Sequence, residues 1–416
     1  MDNRWFIVLF IAVLFGALLL SGCTAQKTTA PAPAPAPTAA VTAAPAGDPK
    51  VYSQAELDAM QQWRQLWTDH AVWTRMYIIE ALGDDSAATD AAAARLLRNQ
   101  EDIGNAIKPY YGDAAGTQLT ALLKEHITIA VALVNDVKSG NTAAQAADET
   151  RWTKNADQIA AFLAAANPNL PEQDVRQLIY MHLATTKAEL VAREGGDYPA
   201  DASAFDAVYG HILTMSDAIS GGIIQQFPDK FAGPKKYSQK EADLYMTMRH
   251  LWTDHTVWTR LYIIESLDLD SPAADSAAVR LLKNQDDIGN AIKPYYGDAA
   301  GTQLTALLKD HIGIATNIVS DVIAHDATAQ AADETRWTAN ADQIASFLAS
   351  ANPNWPLATL QDMMHMHLAT TKAELVARAT PDYTADVGAY DAVYAHILKM
   401  SDALSAGIIA QFPGKF

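Results

Sequence analysis

The decapeptide LWTDHAVWTR at Leu66–Arg75 returns as LWTDHTVWTR at Leu251–Arg260, an offset of 185 residues. That offset holds without a gap from Tyr52/Tyr237 through to Phe231/Phe416. Nothing else in the chain restricts its fold as strongly, because whatever residues 52–231 build, residues 237–416 must build again. The five residues Ala232–Lys236 join the copies, too few to hold them apart, so the two units are expected to touch.

Each copy reads as about six helices, and no alternating strand pattern of useful length interrupts them. Ser53 and Glu56 (Ser238 and Glu241 in the second copy) form a capping-box pattern that starts the first helix, which ends near Leu82. On that helix Trp63, Leu66, His70, Trp73, Thr74 and Tyr77 project within roughly 60° of one direction, while Asp69 and Arg75 fall off the stripe. The second helix is expected over about Ala87–Lys108, stopped by Pro109, with Gly112 as breaker and Asp113 as the cap of a third helix ending near Ser139. A fourth spans about Thr142–Ala166, a fifth about Glu172–Arg193, and a sixth about Ala204–Phe227 after a loop EGGDYPADAS. Some 180 residues of long amphipathic helices and short turns can bury a substantial core, and the default architecture is an antiparallel up-down bundle. The fold class is therefore all-α: two tandem helical-bundle modules.

Ahead of them, Arg4 and the apolar run Trp5–Leu20 are too short for an uninterrupted membrane span and suit a signal segment. Leu20-Ser21-Gly22-Cys23 resembles a lipoprotein signal, which implies lipidation at Cys23; an uncleaved anchor is the alternative. Residues 1–23 are thus read as the signal and residues 24–51 as a Pro/Ala/Thr-rich tether that cannot bury a core. This places the protein outside the cytoplasm, tied to the outer face of the cytoplasmic membrane or to another envelope membrane. Cys23 is the only cysteine, which excludes intrachain disulfides, thiolate metal clusters and a cysteine nucleophile in the modules. A net charge of −18 argues against nucleic acid as a partner.

The set LWTDHxVWTR, RLLxNQxDIGNAIKPYYG, RWTxNADQIA, HLATTKAEL and GIIxQFPxKF resembles a family of small uncharacterised bacterial and archaeal helical proteins. The resemblance covers both modules and implies a helical fold. It brings no catalytic residues with it.

Four histidines recur, one per helix: His70/His255, His126/His311, His182/His367 and His211/His396. The first three lie centrally in apolar stripes. Asn155/Asn340 shares the fourth helix's stripe, and Glu189/Glu374 follows His182/His367 on the fifth. Together with Trp73/Trp258 and Tyr77/Tyr262 these residues form the candidate ligand pocket. Imidazoles and a carboxylate converging from facing helices are how bundles build polar or metal sites. The simpler reading keeps them as core histidines hydrogen-bonded to Asn155, Glu189, Thr74 or Thr186. No Glu-x-x-His or His-x-x-x-His pair is present, so no cofactor is assigned and a divalent metal stands as the alternative. The cluster MMHMH at Met363–His367 has copper-like ligands, but adjacent helical residues diverge and the first copy reads LIYMH. On these grounds the expected function is a membrane-anchored binding or interaction module for an unknown small molecule or protein. A metal-binding or enzymatic bundle using one histidine from several helices is the alternative.

Overall fold

The structure, a computed structural model, describes residues 50–83, 85–267 and 272–416. The signal, Cys23 and nearly all of the tether expected from the sequence lie outside the described residues.

The first repeat consists of α1 (Gln54–Leu82), α2 (Ser86–Tyr111), α3 (Asp113–Ser139), α4 (Thr142–Ala166), α5 (Glu172–Glu194) and α6 (Tyr198–Gln226), closed by a short 3₁₀ turn at Pro228–Phe231. The second repeats the order as α7 (Gln239–Leu267), α8 (Ala273–Ile323), α9 (Ala327–Ala351), α10 (Leu357–Ala379) and α11 (Tyr383–Gln411). α8 covers the stretch that α2 and α3 divide between them, with a break at Gly297, whose φ of 83° no longer follows the helix. Gly112 takes the same left-handed φ of 85° between α2 and α3, a conformation that disfavours any side chain.

Local chemistry explains most boundaries. Ser53 Oγ accepts from the Glu56 amide at 3.1 Å while Glu56 accepts from the Ser53 amide, the reciprocal pattern read from the sequence; Ser238 and Glu241 repeat it. Two boundaries differ from expectation. α2 runs through Pro109 to Tyr111, because one lost hydrogen bond in a last turn is tolerable where Tyr110 stacks on Phe231 and the Tyr111 hydroxyl bonds Gln226. α6 begins at Tyr198 instead of Ala204: Asp197 caps the Ala200 amide and Pro199 sits in the first turn, where its missing N–H costs nothing.

Each repeat buries its own core. In the first it is built around Trp63, Trp67, Ile103, Trp152, Ile159 and Ile212, and in the second around Met248, Trp252, Ile288, Trp337, Ile344 and Ile397. A further core lies between the repeats and draws on both, with Trp73, Met76 and Phe205 from one side and Trp258, Leu261 and Tyr390 from the other. The contacts across it obey a two-fold exchange, as in an isologous dimer interface. Trp73 meets Tyr390 edge-on at 5.7 Å and Phe205 meets Trp258 at 5.9 Å. Arg193 pairs with Glu265 at 2.7 Å and Arg378 with Glu80 at 2.8 Å. Arg95 reaches Asp391 at 2.9 Å and Arg280 reaches Asp206 at 2.7 Å. Even the chain entries pair: Val51–Tyr52 and Tyr237–Ser238 form a two-residue antiparallel ladder. The repeats therefore pack as one compact unit.

α3 is the one described helix long and apolar enough to cross a membrane by length and composition. It packs between α2 and α4, and its apolar face is that of a bundle helix.

Candidate metal centre

Three of the first repeat's histidines meet inside its bundle. α1 delivers His70, α3 delivers His126 and α5 delivers His182, each buried, and each offers a ring nitrogen within 4.8 Å of the other two. His70 Nε2 and His182 Nε2 stand 3.4 Å apart. The placement follows from the helical stripes. Each histidine occupies a core-facing position flanked by apolar neighbours one turn away, such as Trp67 beside His70, Leu123 beside His126 and Ile179 beside His182.

The surrounding hydrogen bonds orient the rings. Asn155 donates its amide to the Leu122 carbonyl at 3.0 Å, which turns its oxygen toward His126. His126 Nδ1–H donates to that oxygen at 2.9 Å, so the ring's lone pair is on Nε2. Trp152 Nε1–H donates to this Nε2 at 3.2 Å. His182 Nδ1 lies 3.5 Å from Thr186 Oγ1, and His70 Nδ1 has no hydrogen-bond partner.

All three rings are neutral at pH 7. Burial pulls His70 down to about 3, helped by His126 and opposed by Gln100. Burial lowers His126 to about 4, opposed by its bond to Asn155. His182 is held well below the usual imidazole value by burial and by its histidine neighbours. Neutral imidazole is the form that ligates a metal, so no imidazolium has to be deprotonated near neutrality; the 3.4 Å contact between His70 Nε2 and His182 Nε2 is a hydrogen bond in the tautomer that puts a proton on one of them. A buried His₃ cluster of this kind could coordinate a divalent metal.

The second repeat brings the equivalent residues together with small differences, one being that Gln285 Nε2 donates to His255 Nδ1 at 3.4 Å. His255 and His367 are again 3.4 Å apart and His311 again bonds Asn340 at 2.9 Å. The ring centroids of His255 and His311 are 6.5 Å apart, against 6.2 Å for His70 and His126. The Trp337 indole N–H, equivalent to that of Trp152, has no partner.

The other candidate residues go elsewhere. Glu189 is buried but belongs to a second cluster: Arg75 Nη1 donates to it at 2.9 Å and clasps Asp201 through two bonds of 2.8 and 2.9 Å. Arg260, Glu374 and Asp386 repeat the arrangement. Burial lifts Glu189 to about 7, with Arg75 holding it down and Asp201 adding to the rise. Trp73 and Trp258 are in the core between the repeats, and Tyr77 and Tyr262 line a separate apolar pocket. His211 and His396 bond the carbonyls of Leu178 and Met363 at 2.7 and 2.8 Å. In MMHMH, His365 bonds Asp342 on an exposed surface and Met366 is 53 % exposed, so these side chains do not converge with His367.

Sequence reasoning missed three contributors. Arg75 lies off the aromatic stripe of α1 and nevertheless is buried, because the neighbouring repeat covers that face with Trp258. Asp201 was hidden in what reads as a loop; the cap Asp197 followed by Pro199 was the available sign of a helix start. Gln100 is fully buried beside His70, and only the identity of the NQ pair in both copies pointed to it.

No family model, curated protein or solved structure matches the chain. The resemblance drawn from the sequence motifs therefore adds nothing to the site, which stands on its geometry alone.

Proposed function

We propose that this protein binds a divalent transition metal of the zinc class, with His70, His126 and His182 as the ligands in the first repeat and His255, His311 and His367 as a weaker set in the second. The observation that carries the reading is the convergence of three neutral, lone-pair-bearing imidazoles from three helices. Two nitrogens about 2.1 Å from a tetrahedral ion stand about 3.4 Å apart, and the His70–His182 separation of 3.4 Å already meets that. His126 completes the set by moving inward and releasing Trp152. Three imidazoles leave one position for an exogenous ligand, as in sites that bind or activate a small molecule.

Metal content supplies the test. Zn, Cu, Fe and Mn are measured in the purified protein beside His70→Ala/His126→Ala and His255→Ala/His311→Ala variants. The expected result is about one tightly held equivalent, lost in the first variant and kept in the second. Equal substoichiometric metal in all three, with an unfolding midpoint unmoved by chelator, would overturn the reading.

We also infer, from the run Trp5–Leu20 ahead of Leu20-Ser21-Gly22-Cys23, that the unit is lipid-anchored outside the cytoplasm. Cys23→Ser should then release the protein from membranes or leave its signal uncleaved. A wild-type protein found free in the cytosol with an intact N-terminus would remove that placement.

A further inference from the structure

Charge does not balance in the core between the repeats. There Arg75 and Arg193 face Glu189 and Asp201 of their own repeat and Glu265 of the other. Arg260 and Arg378 face Glu374 and Asp386 of theirs and, across the interface, Glu80. Among the described residues each cluster thus sets three carboxyls against two guanidiniums, and no side chain in either is more than 10 % exposed. The surplus falls on one residue in each. Arg75 gives Asp201 two hydrogen bonds and Arg193 holds Glu265 at 2.7 Å, whereas Glu189 shares with Asp201 a single nitrogen of Arg75. In the second cluster Arg260 bonds Asp386 twice, Arg378 takes Glu80 at 2.8 Å, and Glu374 shares Arg260 Nη1.

The cations of the neighbouring helices are engaged elsewhere. Around Glu189, Lys187 takes Glu149 of α4 at 2.6 Å, while on α3 Lys124 pairs with Glu101 and Lys138 bonds the Ala81 carbonyl. Around Glu374, Lys372 takes Glu334 at 2.7 Å and Lys309 takes Asp286 at 2.8 Å. Farther along the interface Arg95 and Arg98 match Asp69 and Asp391, and Arg280 faces Asp206 and Asp254, with His250 also acting on Asp254. A third ionised carboxylate would leave each cluster with a net negative charge out of water, which is costly, and a proton removes that charge without needing room. Burial raises Glu189 and Glu374 to about 7, against the pull of Arg75 and Arg260.

We propose that the two repeats dock by holding one proton in each of these clusters, on Glu189 and on Glu374, so that mild acid tightens their contact and neutral solution loosens it. The sign follows from what separation exposes. Arg75 lies against the Trp258 ring at 5.5 Å and Arg260 against that of Trp73 at 5.4 Å, so parting the repeats brings water to both clusters. There a glutamate ionises at its ordinary value of about 4.3. Between that pH and about 7 the docked form binds one more proton per cluster than the parted form. Each such proton strengthens docking by up to about tenfold for every unit by which the pH falls. Asp69 and Asp254, also raised by burial, add in the same sense. The core imidazoles act in the opposite sense on each bundle's own unfolding, so acid should tighten the docking while it weakens the bundles.

The test is hydrogen exchange of the intact chain at pH 5 and pH 7, with rates corrected for the intrinsic effect of pH, so that protection is read segment by segment. Amides of residues 73–82 and 258–267, which supply much of the core between the repeats, should gain at least about tenfold in protection at the lower pH. Those of α4 and α9, whose buried residues belong to the separate bundle cores, should not. Glu189→Gln/Glu374→Gln, which fixes the neutral form, should cut that gain by at least about tenfold. Glu80→Gln/Glu265→Gln should do the same by a different route, since it leaves two carboxyls to two guanidiniums with no proton held. Equal protection at the two pH values in the wild type would overturn the proposal, as would a gain shared by α4 and α9 or one that both variants leave unchanged. The wild-type comparison needs no variant, so a substitution that failed to fold would leave the proposal open to refutation.

Discussion

The two repeats contain the same histidines, yet only the first brings a nitrogen from all three within 4.8 Å. The residues themselves do not account for this, since His70/His255, His126/His311 and His182/His367 match and the His–His separation of 3.4 Å is common to both. The difference is in what holds the third ring. The stretch Asp102–Lys124 is identical to Asp287–Lys309, and the first change after it is Glu125 to Asp310. Asp310 accepts from the Asn340 amide at 3.2 Å, and the amide's bond to the Leu307 carbonyl lengthens to 3.2 Å from the 3.0 Å of its first-repeat equivalent. Asn340 orients His311, whose ring is farther from His255, and Trp337 loses the bond that Trp152 makes. Ligand identity and ligand geometry are thus separable, and the geometry is set one residue further out.

The comparison predicts where the repeats should behave alike and where they should part. The largest effect should be the same in both. Arg75 and Arg260 each neutralise two buried carboxylates, and each guanidinium lies over aromatic rings of its own repeat and of the other. Replacing either by methionine leaves buried carboxylates without their cation, a change that costs about 3–5 kcal/mol. Urea unfolding of Arg75→Met and Arg260→Met should show losses of that order and equal within about 0.5 kcal/mol. A loss in one repeat alone would mean that the two-fold exchange at the interface does not describe its energetics.

Acid should also strike both repeats alike. The imidazoles' folded values are depressed, to about 3 for His70 and His255 and about 4 for His126 and His311. Below their unfolded value of about 6.5 the unfolded chain binds more protons, so the stability these groups supply is present above that pH and is lost as pH falls toward the folded values. Each can remove up to about 1.4 kcal/mol per pH unit. Glu189 and Glu374, raised to about 7, act in the opposite sense. Their contribution is full below the unfolded carboxylate value and is lost as pH rises to about 7. Asp69, raised by burial to about 6, and Glu80 and Asp254, also raised by burial, act in the same sense as Glu189 and Glu374. Six imidazoles still outnumber these five carboxyls, so net stability should fall modestly from pH 6.5 to pH 5. His70→Gln and His255→Gln should each flatten that fall by a similar amount, measured as free energy of unfolding at the two pH values. A rise in stability on acidification would refute the burial of neutral imidazoles.

Much of the bundle was legible because helical periodicity, caps and breakers are local. Ser53 and Glu56 start α1 as read, and the stripe through His70, His126 and His182 faces inward in each helix. What escaped was set by the partner repeat. Arg75 looked like a solvated residue because a helical wheel shows one buried face, and α1 has two: one toward its own bundle and one toward Trp258. Glu189 looked like a companion of His182 by helical position, and the distant Arg75 and Asp201 take it instead. Whether three rings converge to within a metal's reach depends on differences of a few tenths of an ångström, which no periodicity encodes.

The smallest effect should be the one that separates the repeats. If Asp310 is what draws Asn340 aside, lengthening that side chain by one methylene should restore the first repeat's arrangement around His311. Asp310→Glu should then strengthen zinc binding at the second site by about tenfold, the lower end of what second-shell changes do, and leave the first site unchanged. The reciprocal Glu125→Asp should weaken the first site by a similar factor. Both substitutions are on exposed faces and keep the charge, so unfolding midpoints without metal should stay within about 0.5 kcal/mol of wild type. That separates a change in the site from a change in the fold. Calorimetric titration with Zn²⁺ after chelator removal reads both sites in one experiment. Two unequal sites should become two nearly equal tight ones in Asp310→Glu, and two nearly equal weak ones in Glu125→Asp. Affinities that ignore both swaps would place the asymmetry elsewhere, with the Trp152 indole as the next group to test, since its bond to His126 Nε2 is the contact the second repeat lacks.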